Sequence, residues 1–227
     1  MTEVGSTLVH RVLDPRSAGN AGTHPTVILL HGRGADENDL AGLSSFLDPR
    51  LFFLSLRAPY PFPVSGGFTW YEMADDGTPD AEMFRESYDR LTAFIAEARR
   101  DYPVDPERIF ILGFSMGTMM ALCLALTDPG RFRGVIANSG YLPEGTGLDM
   151  RWNELAGMSI FLAHGTHDPV IPISLARKTR DLLQKSDASL VYREYPMGHE
   201  ISSESLLDVS DWMKNLIEDP PGISAGN

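Results

Sequence analysis

The sequence predicts a three-layer α/β domain, helices on both faces of a mostly parallel sheet of about seven strands, and three observations carry that expectation. Short apolar or β-branched runs alternate with longer helical patterns along the chain. Several runs, among them Val27-Ile28-Leu29-Leu30 and Ile109-Phe110-Ile111-Leu112, are apolar at successive positions, as strands covered on both faces are. Gly113-Phe114-Ser115-Met116-Gly117 joins one such run directly to a helix-forming stretch, the G-x-S-x-G pattern of a tight strand-to-helix turn.

Thr7 to Val12 reads as the first strand, and Asp14-Pro15 with the loop Ser17 to Thr23 predicts a hairpin-like return that makes it an antiparallel edge. Thr26 to Leu30 is the second strand, Glu37 to Phe46 a helical segment and Leu51 to Leu56 the third strand. Arg57 to Pro79 then carries Pro59, Pro61, Pro63, Gly66, Gly67 and Gly77, which predict irregular backbone. Its aromatics, Tyr60, Phe62, Phe68, Trp70 and Tyr71, predict that this long connection lines a substrate pocket or packs on the core. Ala81 to Asp101 is a long helix, Arg108 to Leu112 a strand and Met116 to Leu126 the helix after the turn. Strands Gly134 to Ala137, Ser159 to Ala163 and Leu190 to Tyr195 alternate with helices Ile173 to Lys185 and Glu200 to Ile217. Residues 1–218 are expected to form one α/β domain, with residues 219–227, rich in Pro and Gly, as a flexible tail.

At 227 residues, 43% hydrophobic and 22% charged, the chain has the composition of a globular protein with a full core. Its longest apolar runs are strand-length, so no membrane insertion is expected, and Met1 to Gly5 lacks the basic start of a secretory signal. The formal net charge of −12 argues against nucleic acid and anionic membrane surfaces as partners. Cys123, the single cysteine, cannot form an internal disulfide, which fits the reducing cytoplasm. Between Leu122 and Leu124 it reads as a packed residue. The apolar stripe Leu206, Leu207, Trp212, Met213 and Leu216 on the last helix reads as core-facing, with a homodimer through that stripe as the alternative.

A serine hydroxyl is a poor nucleophile at neutral pH, so Ser115 acquires meaning only with a base and an acid to orient it. On a sheet of this kind those partners follow in the order Asp or Glu, then His, on loops after later strands. Asp168 follows the strand Ser159 to Ala163, in His164-Gly165-Thr166-His167-Asp168-Pro169-Val170. His199 follows the strand Leu190 to Tyr195, in Pro196-Met197-Gly198-His199. The expected roles are Ser115 as nucleophile, His199 as general base and acid, and Asp168 as the group that fixes the imidazole. Asp168 as a simple turn former before Pro169, and His167 as the base, are the rivals; His31 and His164, beside glycines, read as braces of their turns. An oxyanion needs two backbone donors: Met116, first in the helix, and Arg33, in the glycine-flanked loop His31-Gly32-Arg33-Gly34, are the candidates. For the Arg33 side chain, an electropositive gate and a solvent-exposed arginine are both open readings.

With these motifs assembled, the chain resembles the bacterial phospholipase/carboxylesterase family, small serine esterases related to acyl-protein thioesterases within the α/β-hydrolase fold. The resemblance rests on Leu30-His31-Gly32-Arg33-Gly34-Ala35-Asp36, Gly113 to Gly117, Asn138-Ser139-Gly140-Tyr141-Leu142, His164 to Pro172, and Gly198-His199, with similarity also over Gly66 to Tyr71. It implies a Ser115, Asp168, His199 triad, backbone donors at Arg33 and Met116, and hydrolysis of short- to medium-chain acyl esters of small molecules without metal or organic cofactor. It further implies Trp70, Leu142 and Val170 near the substrate, and an open pocket without a large lid domain. The family commonly has leucine where Arg33 stands and glutamine where Met116 stands; donors made by backbone survive such changes. Thioester or lysophospholipid cleavage by the same triad is the alternative activity, and a hydrolase-fold ligand-binding protein the non-enzymatic one.

Overall fold

The computed structural model describes residues 7–17, 22–75 and 77–218. The expected flexible tail, 219–227, lies outside them. Among the described residues the main sheet has seven strands, β1 (His10–Leu13), β2 (His24–Leu30), β3 (Phe52–Leu56), β6 (Val104–Phe114), β7 (Gly134–Asn138), β8 (Ser159–Gly165) and β9 (Ser189–Tyr195). Their spatial order is β1-β3-β2-β6-β7-β8-β9, every pairing parallel except that of β1 with β3. The first strand is thus an antiparallel edge, but its partner is β3 rather than the strand next in sequence, so no hairpin forms. From β2 the chain steps outward to β3 and then crosses back to β6 on the other side, so the order reverses between β2 and β6. The crevice beyond the carboxyl ends of the strands at such a reversal is where open α/β sheets bind ligands.

Consecutive apolar residues on the central strands face opposite sides, which divides the core in two. Ile28, Leu30, Ile109 and Ile111 pack with helices α1 (Ala81–Asp101) and α2 (Met116–Thr127). Val27, Leu29, Phe110 and Leu112 pack with α4 (Ser203–Glu218) on the other face. α2 is buried from Met116 through Leu126, Cys123 included, as an all-round apolar helix must be. Asp80 caps α1 by accepting the Met83 N–H at 2.9 Å. The helix ends at Tyr102, held extended ahead of Pro103. The stripe of α4 faces inward through Leu206 and Met213, with Trp212 and Leu216 partly buried beside them; Leu207 is exposed. α3 (Ile173–Leu183) covers β8.

Other segments also depart from the expected elements. Glu37 to Phe46 contains only a 3-10 turn, Ala41–Ser45, which has no side-chain cap. α4 starts at Ser203, because Ser202 accepts the Ser205 N–H at 3.1 Å and so ends the preceding loop. The connection after β3 holds a hairpin, β4 (Tyr60–Phe62) and β5 (Gly67–Thr69), that docks on the loop after β2. That docking is made by the Gly34 N–H to the Phe68 carbonyl and the Phe68 N–H to the Ala35 carbonyl, both 2.8 Å.

Candidate active site

Ser115 lies between β6 and α2 with φ 54 and ψ −119, a conformation that L-residues avoid and that a strand-to-helix elbow imposes. The elbow survives because its neighbours leave no alternative. A Cβ on Gly117 would sit 2.0 Å from the Leu30 carbonyl oxygen, so only glycine lets α2 begin this close to β2. The Asn138 carbonyl at the end of β7 accepts both the Ser115 N–H at 3.0 Å and the Thr118 hydroxyl at 2.7 Å, which ties strand, elbow and helix together.

His199 reaches the elbow from the loop after β9. Its Nε2 is 3.0 Å from Ser115 Oγ and its Nδ1 2.8 Å from Asp168 Oδ2. A carboxylate only accepts, so Nδ1 carries the ring proton and Nε2 is free to accept one from the hydroxyl. The loops bearing Asp168 and His199 touch at Gly165, where a Cβ would lie 2.3 Å from the Met197 and Gly198 carbonyl oxygens. The Phe114 ring packs against the imidazole, centroids 4.9 Å apart. Ser139, itself at φ 47, donates its hydroxyl to the Glu200 carbonyl at 3.2 Å and steadies the same loop.

The Asp168 side chain has no exposed surface. Oδ1 accepts the Val170 N–H at 2.8 Å and the Ile171 N–H at 2.9 Å, while His164 Nε2, which donates to the Ile171 carbonyl at 2.9 Å, approaches Oδ2 at 3.4 Å. Burial by itself pushes the carboxyl up; the Ile171 N–H, the His199 ring and the Val170 N–H outweigh it and hold Asp168 below its ordinary 3.8. A buried acid kept anionic can orient an imidazole and stabilise positive charge that develops on it.

Of the candidate donors, Met116 is the first residue of α2, so its N–H is among those without an intrahelical partner. Its side chain turns into the core against the Thr69 hydroxyl, which leaves the backbone as its contribution to the site. The loop carrying Arg33 runs beside Ser115: a Cβ on Gly32 would stand 3.3 Å from Ser115 Cβ. The Arg33 side chain pairs with Glu72 and lies 4.5 Å over the Phe62 ring, so it locks the docked hairpin to this loop.

The three residues expected near the substrate fall in different surroundings. Trp70 has no exposed surface and donates its indole N–H to the His31 carbonyl at 2.9 Å, supporting the Arg33 loop from behind. Leu142 lines a cavity of about 300 Å³ against Thr179 and Lys178 of α3. Val170 is 62% exposed beside Asp168. His167, the rival base, is exposed, and among the described residues its ring meets only the Thr166 hydroxyl, at 3.5 Å. Phe114, at an unspecified position of the turn pattern, and the Asn138 carbonyl, a backbone atom, carry no local sequence signal that marks them for this site.

A family model described as Phospholipase/Carboxylesterase matches residues 17–217. The acyl-protein thioesterase 1 of Candida albicans is 31% identical over 223 residues, 88% of this chain and 96% of the relative. A probable carboxylesterase of Oryza sativa subsp. japonica is 28% identical over 220 residues, 90% of this chain and 82% of the relative. Among solved structures, the Bacillus cereus carboxylesterase superposes with a TM-score of 0.82 at 24% identity, over 93% of this chain and 96% of that one. The Mesorhizobium loti carboxylesterase does so with a TM-score of 0.83 at 22% identity, over 94% and 98%. Both superpositions bear on the fold, which is that of the α/β hydrolases.

Proposed function

The chain belongs to the phospholipase/carboxylesterase family, and on that premise we propose that Ser115, His199 and Asp168 are the triad of a serine esterase cleaving short- to medium-chain acyl esters. The class, a carboxylic-ester hydrolase, is the one carried by the names of its relatives. The observation that carries the residue roles is the relay from Ser115 Oγ through His199 to Asp168, at 3.0 and 2.8 Å.

His199 Nε2 takes the hydroxyl proton as Ser115 Oγ attacks the acyl carbon, and the carbonyl oxygen becomes an oxyanion facing the N–H groups of Met116 and Arg33. The imidazolium gives its proton to the departing alkoxide, which leaves as an alcohol and an acyl-Ser115. Water then attacks the acyl carbon with His199 again as base, and the carboxylic acid leaves as Ser115 recovers its proton. A thiolate leaving group fits the same cycle, and the Candida albicans relative, named a thioesterase, makes acyl thioesters the second substrate class. The reading carries a cytoplasmic location with it, supported by the lone, buried Cys123. Among the described residues no helix is long and apolar enough to cross a membrane.

Turnover of p-nitrophenyl acetate and butyrate tests the reading. Activity abolished by Ser115→Ala supports it, and activity that survives the substitution ends it.

A further inference from the structure

His31 is buried, 1% exposed, and the acyl-transfer cycle above leaves it without a role, yet both of its ring nitrogens are engaged. The backbone N–H of Ala58, just past β3, donates to Nε2 at 3.0 Å. A peptide N–H can only donate, so Nε2 is the bare nitrogen and the single proton of the neutral ring sits on Nδ1. Nδ1 lies 2.7 Å from the Gly32 carbonyl oxygen, which therefore accepts it. Burial lowers the ring's affinity for a second proton, against the opposing pull of the Gly32 carbonyl and of Asp39, Asp36 and Glu37, which favours the neutral ring. Trp70 locks the ring from another side, its centroid 5.4 Å away and its indole N–H on the His31 carbonyl.

The Gly32 carbonyl and the Arg33 N–H are the two ends of one planar trans peptide, so whatever fixes one aims the other in the opposite direction. That peptide begins beside Ser115 Cβ. We propose that His31 is a positioning residue that, by donating from Nδ1 to the Gly32 carbonyl, turns the Arg33 N–H toward the oxyanion formed at Ser115. The inference rests on the triad reading and adds to it the group that orients one of the two oxyanion donors. The same bond polarises the peptide and makes its N–H a stronger donor.

Two substitutions separate this role from ordinary packing, because each removes a different one of the two ring bonds. In His31→Asn the side-chain amide reaches the position of Nδ1 and keeps a donor for Gly32 while Ala58 loses its acceptor. In His31→Gln the longer side chain keeps an acceptor for Ala58 and loses the donor to Gly32. We expect His31→Gln to lower kcat on p-nitrophenyl acetate about tenfold or more, part of the roughly 10²- to 10³-fold that loss of a whole oxyanion donor costs. KM should stay near that of the wild type, and binding of phenylboronic acid, which forms a tetrahedral adduct on Ser115, should weaken by the same factor as kcat. His31→Asn should keep kcat within about threefold of the wild type. Wild-type kcat in His31→Gln, or equal losses in both variants that track a common fall in Tm, overturns the inference and leaves the triad standing. Should neither variant fold, nitrogen-15 NMR of the wild-type His31 ring decides. A proton on Nδ1 that shifts on boronate binding supports the role; a proton on Nε2 overturns it. Wild-type turnover that persists in Ser115→Ala would instead sink the triad and this inference together.

Discussion

Asp168→Asn changes one atom of the relay and leaves its shape, so its effect follows from proton bookkeeping. Oδ1 accepts two backbone N–H groups, at 2.8 and 2.9 Å, and Oδ2 accepts the proton on His199 Nδ1. The asparagine amide must put its oxygen toward Val170 and Ile171, since the reverse sets its NH2 against two N–H donors in a place without solvent. Its NH2 then faces His199 Nδ1, which must become the bare nitrogen, and the ring proton moves to Nε2. There it points at Ser115 Oγ and cannot accept the hydroxyl proton. The expected loss in kcat is on the order of 10⁴-fold, about 5 kcal/mol at the transition state. KM for p-nitrophenyl butyrate should change little, because the carboxylate touches no substrate. Stability should respond as well, with a definite sign. A carboxyl held below 3.8 stabilises the fold above that pH and loses the contribution as pH falls through its lower folded value. The variant should therefore melt below the wild type at pH 7, and the gap should close under pH 3.8. Steady-state kinetics and thermal melts read both outcomes. A kcat within tenfold of the wild type, in a folded variant, would refute the tautomer reasoning.

Other perturbations test neighbouring parts. Gly165→Ala forces a Cβ to within 2.3 Å of two carbonyl oxygens on the His199 loop, so the loops of Asp168 and His199 must separate. Because misplacement by about 1 Å costs about 10²-fold, kcat should fall at least tenfold, and an unchanged value would mean the loops yield without moving the relay. Arg57 grips Glu37 through two bonds of 2.6 and 2.5 Å, and the Glu37 side chain is only 5% exposed. Arg57→Met should thus cost about 2–3 kcal/mol in chemical denaturation, with part recovered in the double variant with Glu37→Gln; a loss under about 0.5 kcal/mol would show that water solvates the stranded carboxylate. Glu194 is held down to about 2, first by the Arg177 side chain, so its pair stabilises the fold above pH 4.5 and is lost as pH falls toward 2. Glu194→Gln should flatten that stretch of the Tm-against-pH curve while changing stability at pH 7 by about 1 kcal/mol or less; a curve parallel to the wild type refutes the assignment.

How much was legible depended on whether a feature is written locally. The strands at the sheet centre were, because residues such as Val27 to Leu30 must be apolar at every position to satisfy two cores at once. The strand before the elbow reads from Arg108 but starts at Val104, since Asp105-Pro106 carries no apolar signal. Proline and glycine hid the hairpin of β4 and β5, whose strands of three residues pair with each other and form only because the Arg33 loop receives them. The helix expected from Glu37 failed for a local reason: the Asp36 side chain captures the Asn38 N–H at 2.8 Å and makes a turn where a first helical turn would start. The positions of Ser115, Asp168 and His199 are written locally, each in the loop after a strand that announces itself, and the structure brings Ser115 and Asp168 each within 3.0 Å of the His199 ring. The grip of His31 on the Arg33 loop was only half readable, as a brace beside a glycine. Its partners Ala58 and Trp70 lie 27 and 39 residues away and meet it only once the sheet has formed.

The most direct measurement is the fate of the acyl group. Protein mixed with p-nitrophenyl acetate, quenched in acid within the first turnover and digested, should yield an acetyl group on the peptide carrying Ser115. His199→Ala should leave that peptide unmodified over the same interval. Acetate found on another residue, or p-nitrophenol released at the wild-type rate by the His199 variant, would contradict the relay at its centre.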